Sequence, residues 1–155
     1  IIEDFKKTLS VFEKFLEEED LGSVNPERCE LTYINHIFKG EGWESVIDLT
    51  NIFRDLCWKT DDRFLPPPVS VGGQAVFQLP NNKGRLELSL QQAIRKSDKR
   101  PMLVLQNKAT GLGEDKNMNA VWEWFEVAHE WIVFGFTDLT KEAIQKDVWQ
   151  RTDIN

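Results

Sequence analysis

Apolar residues recur along the chain in two different periods. Phe5, Leu9, Phe12 and Leu16 lie four, three and four apart, and Val11 and Phe15 widen the stripe. This predicts an amphipathic helix that Gly22 stops. From Cys29 to Phe38 the period becomes two, in a run rich in Tyr, Ile, Thr and Phe and free of glycine and proline. Cys29, Leu31, Tyr33, Asn35 and Ile37 share one face of this strand; Glu30, Thr32, Ile34, His36 and Phe38 share the other. Gly40 and Gly42 end it. Val46, Leu49, Phe53 and Cys57, with Ile52 and Leu56 alongside, return to helical spacing and predict a helix over Ser45–Trp58. Asp61 to Pro68 is a polar corner running into three prolines, a stiff connector.

Gln74 to Leu79 alternates, with Ala75, Phe77 and Leu79 on one face, and Arg85 to Leu90 alternates again with Leu86, Leu88 and Leu90 inward. The Pro80-Asn81-Asn82-Lys83-Gly84 turn joins them as a hairpin. Met102 to Lys108 supplies a further strand, closed by Thr110-Gly111-Leu112-Gly113. Asn117 or Asn119 caps a long helix reaching about Phe134. Thr140, with Glu142 in the first turn, opens a last short helix ending near Trp149. This order predicts one α+β domain over 1–155: an antiparallel sheet of about four strands with helices on one face. In outline that is a helix-grip or TATA-binding-protein-like arrangement.

The composition permits such a core. The chain has 155 residues, 41% of them hydrophobic, and six tryptophans, which excludes intrinsic disorder. No apolar run approaches the ~18 residues of a membrane helix, so the expectation is a soluble chain without a membrane partner. Cys29 and Cys57 sit in apolar stretches with no CxxC spacing, which favours free thiols and a cytoplasmic setting. Ile1 begins the first helix uncapped and at full strength, which predicts the carboxy-terminal part of a longer chain.

The segment WEWFEVAHEWIVFGFTDLT (Trp122–Thr140), followed by Trp149, is similar to the carboxy-terminal signature of a sporadically distributed family of prokaryotic proteins with no established function. Its marks are an A-H-E segment, an aromatic a few residues on, and an acidic helix ending in tryptophan. YINHI (Tyr33–Ile37) resembles a second element of that family. The resemblance implies a longer chain and no catalytic residue.

The titratable side chains offer three candidate arrangements. On the long helix Glu126 neighbours His129 and Glu130; with His36 these would form a metal or acid–base cluster suited to metal-dependent hydrolysis. The segment lacks the second histidine of an H-E-x-x-H zinc helix, and the alternative is that His129 orients a neighbouring element. Tyr33, Asn35, His36 and His129 would be the polar lining of a small-ligand cavity between sheet and long helix. The third arrangement is an interaction surface. Residues 83–108 hold seven basic residues against two acidic ones, within a chain of net charge −7. Arg95, Lys96, Lys99 and Arg100 crowd one turn, free to meet an acidic partner or to pair internally. Trp122 and Trp131 point apart on an ideal helix, so one of them is a candidate anchor for a partner. The basic turn lacks interleaved aromatics, which argues against nucleic acid. There is no G-x-S-x-G, no phosphate loop and no dinucleotide fingerprint, and no cofactor is implied. The function expected is a protein-interaction or regulatory module, with a protein partner or self-association; a small-ligand-binding domain is the alternative.

Overall fold

The computed structural model describes residues 2–58 and 61–150; the expectation placed on Ile1 lies outside them. Helix α1 (Ile2–Glu18) precedes strand β1 (Cys29–Phe38). A 3₁₀ turn (Val46–Asp48) leads into α2 (Leu49–Ile52), then β2 (Gly73–Gln78), β3 (Arg85–Ile94) and β4 (Pro101–Gly111). Helices α3 (Met118–Leu139) and α4 (Glu142–Asp147) complete the described residues. The strands form one antiparallel sheet in the order β1-β4-β3-β2. The α+β class with helices packed on the sheet is as the sequence predicts.

Alternation fixes which face is buried. Ile37, Leu103, Leu105, Ala109, Leu86, Leu88 and Leu90 share the inner face, and all are buried. Over them lies α3, whose Val121, Trp124, Ala128 and Ile132 recur at steps of three and four and are buried as well. Asn117 caps α3 by accepting a bond from the Ala120 N–H at 2.9 Å. Trp124, wholly buried, donates its indole N–H to the Lys83 carbonyl at 2.8 Å. That bond ties the helix to the β2–β3 turn. Gly84 in this turn crosses Gly111 at the end of β4 so closely that a Cβ on Gly84 would lie 2.1 Å from the Thr110 carbonyl oxygen. Only glycine permits that crossing, and both residues have positive φ.

The predicted Ser45–Trp58 helix is reduced to the 3₁₀ turn and the single turn of α2. Phe53 turns extended and bridges Thr140, while Arg54 N–H donates to Leu139 O at 3.1 Å and Lys141 N–H to Ile52 O at 2.7 Å. Pairing with the α3–α4 junction accompanies the burial of Ile52 and Phe53 and leaves Cys57, the last position of the predicted stripe, exposed. The order helix, strand, helix, three strands, long helix, short helix is otherwise as predicted, with the second helix one turn long. Strands β3 and β4 run past their hydrophobic alternation because the 95–100 turn closes the ladder, Arg95 N–H donating to Arg100 O at 2.9 Å. Thr140 ends α3 rather than opening α4: its hydroxyl donates to Phe136 O at 2.7 Å and accepts from the Gln145 amide at 2.8 Å. Helix α1 makes little of its stripe. Phe5 stacks edge-on against Trp122 and Phe125, while Val11, Phe12 and Phe15 are exposed.

Asn107, on the inner face of β4, is wholly buried, and neither polar atom of its amide has a hydrogen-bond partner among the described residues. An unpaired buried amide costs about 1–3 kcal/mol. Substituting Asn107→Leu is therefore expected to raise unfolding stability by about 1–3 kcal/mol, whereas Trp124→Ala removes a buried indole and is expected to cost about 3–5 kcal/mol. Urea denaturation of both variants checks the pair.

Candidate functional site

Helix α3 packs chiefly on β1 and β4 and touches β3 less, so the inner side of β2 has no helix above it. The inward positions of β2 are Gly73, Ala75 and Phe77, two of them without bulk. On the helix, Gly135 keeps the floor low, since even a Cβ there would stand 3.4 Å from Leu86. The outcome is a cleft of about 480 Å³ between the second half of α3 and the β2–β3 hairpin. Trp131, Gly135 and Leu139 recur every four residues as its helical wall, and Phe77, Leu86 and Leu88 form the wall from the sheet.

A second stripe one position earlier, Glu130, Phe134 and Asp138, follows the rim. Asp55 joins it because the bond from Arg54 to Leu139 sets the residue after Arg54 beside the end of α3. All three carboxylates are exposed, and among the described residues no basic side chain lines the cleft and none of the three forms an ion pair. The arrangement can hold an apolar body and a positive charge. The two four-residue stripes were available in the sequence as spacing, but not the empty space above β2.

The residues singled out from the sequence are scattered. Tyr33 and Asn35 are on the inner face, where Tyr33 meets His129 edge-on with ring centroids 5.9 Å apart. His36 projects from the opposite face, beside Phe38 at 6.4 Å. Strand alternation thus separates His36 from Glu126 and His129, so the proposed metal cluster is not assembled. Among the described residues no group of three or more His, Cys, Asp or Glu is placed to hold a metal. Nor do Tyr33, Asn35, His36 and His129 line one cavity. Asn35 and His36 border a separate hollow at the β1 edge with Glu41, Phe136 and Trp149.

Trp122 and Trp131 both pack, half-buried, against the core under α3 from opposite flanks of the helix. Trp122 is further covered by Phe5 and by the Lys6 ammonium 5.6 Å from its ring. Of the basic turn, Arg95 and Arg100 lie over the Phe38 ring at 4.4 and 4.8 Å, while Lys96 and Lys99 are exposed. The Arg95 guanidinium also grips Asp98. The cations at 95 and 100 are thus spent largely within the chain. Burial pushes the Cys29 thiol up, with Lys116 opposing weakly; both cysteines are free.

Arg95, together with the Arg100 backbone N–H, holds the Asp98 carboxyl well below the usual carboxylate range, and the pairing raises Arg95 in turn. A depressed carboxylate stabilises the fold above its ordinary value of about 3.9 and loses that contribution as pH falls through the depressed one. A carbon-13 titration is expected to place the Asp98 midpoint below every unpaired aspartate, and Arg95→Gln to return it to the ordinary range. No family model matches this chain, and no curated protein or solved structure matches it.

Proposed function

We propose that the chain is a protein-interaction module that works by strand pairing, with a second copy of itself as partner. One observation carries this reading: every residue of the edge strand β2 is exposed, and its sequence GQAVFQ holds neither a charge nor a proline. An open edge presents a row of unpaired backbone N–H and C=O groups, and proteins that avoid strand addition usually blunt such an edge with charge or proline. The opposite edge, β1, carries Glu30 and is flanked by Arg28 and Lys39.

A second copy suits β2 because antiparallel pairing about Val76 would place Val76 against its own counterpart and Gln74 against Gln78. No like charges would meet, and Val76, more than half exposed on the outer face, would be covered. This keeps the self-association expected from the sequence and moves it from the tryptophans and the basic turn to the strand edge. The two free cysteines agree with a cytoplasmic setting, and the family that Trp122–Thr140 resembles would make the bearer prokaryotic. No helix of the described residues is long and apolar enough to cross a membrane.

Sedimentation velocity is expected to show a reversible dimer whose dissociation constant rises about tenfold or more in Val76→Lys, which sets like charges opposite each other. A wild-type chain that is monomeric at about 0.1 mM, a weak affinity by any standard, would refute the reading, as would a dimer indifferent to Val76→Lys.

A further inference from the structure

We infer that the cleft between α3 and the β2–β3 hairpin binds a small organic cation with an aromatic body, of the arylalkylamine class. The volume of about 480 Å³ falls within the roughly 300–1,000 Å³ of small-molecule sites. Phe77, Trp131 and Phe134 offer ring surfaces to a flat apolar body, and Phe134 is more than half exposed.

Among the described residues the charged side chains that line the cleft are of one sign, and they are not evenly placed. Asp138 lies in the last turn of α3, and Asp55 is held beside it by the Arg54–Leu139 bond. The last turn of this 22-residue helix contains no basic residue of its own, and its terminal carbonyls are met from outside by the Arg54 guanidinium, which donates to Thr140 O at 3.3 Å, and by the Gln145 amide. An ammonium group at this point would meet the two carboxylates, while the Arg54 guanidinium stays engaged with the Thr140 carbonyl. Its aromatic body would then extend back toward Trp131, whose face also favours a cation. Glu130 stands two helical turns away, roughly 12 Å along the axis, too far to share one ammonium with Asp138 but near enough to repel an anion. A carboxylate ligand of equal shape would face three like charges, and a neutral one would leave them without a partner.

Tryptamine, neutral 3-ethylindole and anionic indole-3-propionate share one ring and differ in charge, which makes them suitable probes. Titrated into nitrogen-15-labelled protein at neutral pH, tryptamine is expected to shift the Gly135 amide and the Trp131 indole N–H saturably. It should bind at least about tenfold more tightly than indole-3-propionate, a gap that high salt narrows. Asp55→Asn and Asp138→Asn, both at exposed positions, should each weaken tryptamine about two- to fivefold, the range of an exposed ion pair, with little effect on 3-ethylindole. Val76→Lys should leave tryptamine binding intact, so that loss of strand pairing and loss of the cleft are read separately. Equal affinity for the three probes, no saturable shift, or Asn variants that bind tryptamine normally would overturn the inference. So would a capped Phe-Lys-Phe peptide that binds where tryptamine does not, because the cleft would then serve a protein side chain.

Discussion

One helix has to shelter the apolar face of a four-stranded sheet, and its width does not suffice. A helix with its side chains is about 10–12 Å across, while four strands spaced about 4.8 Å apart span more than that before their own side chains are counted. Something must be left uncovered, and Trp124 decides what. Its indole is anchored to the Lys83 carbonyl and fills the space between α3 and the β2–β3 turn, which fixes the first half of the helix at one end of the sheet. From there α3 runs over β1 and β4. The second core, under α2 and α4, is closed by the pairing of Ile52–Arg54 with the α3–α4 junction. Strand β2 has neither cover, and both the open edge and the cleft descend from this shortfall.

Much of this was legible in residue order. Alternation in CELTYINHIF sorted β1 into its two faces, and in RLELSL it set the buried face of β3 correctly, since side chains two apart must share a side. The cap at Asn117 and the long helix were readable for the same local reason. What escaped was set by contacts between distant segments. The stripe Val46, Leu49, Phe53, Cys57 has helical spacing, yet Phe53 gains more from bridging Thr140 than from another helical turn. The exposed, sparsely packed state of α1 could not be read from its stripe, because amphipathicity says that a face is apolar and not what lies against it.

The histidines show how far a spacing argument reaches on a sheet. Tyr33 and His36 are three residues apart, near neighbours in sequence, but an odd separation on a strand places them on opposite faces. The same rule that assigned the core thereby dissolved the metal cluster that helix spacing had assembled around His129. Asn107 is a different case: an asparagine in the middle of an alternating strand reads as an inward polar residue, but its lack of partners depends on Leu88, Tyr33 and the helix above. The cleft was the least legible feature of all, being a space between Phe77, Leu86 and Leu88 of the hairpin and Trp131, Gly135 and Leu139 of the helix, far apart in sequence.

The register of β1 has a consequence for how the chain is made. Strands β3 and β4 form a local hairpin, but β1 pairs only with β4, and Cys29 finds its partner at Gly111. On a ribosome adding roughly 5–20 residues per second, a nascent β1 would wait several seconds before β4 emerged. During that wait a ten-residue strand rich in Tyr, Ile and Phe has no neighbour to close against. Glu30, Arg28 and Lys39 then act in time as well as in space, discouraging stray pairing until the proper partner strand has been synthesised.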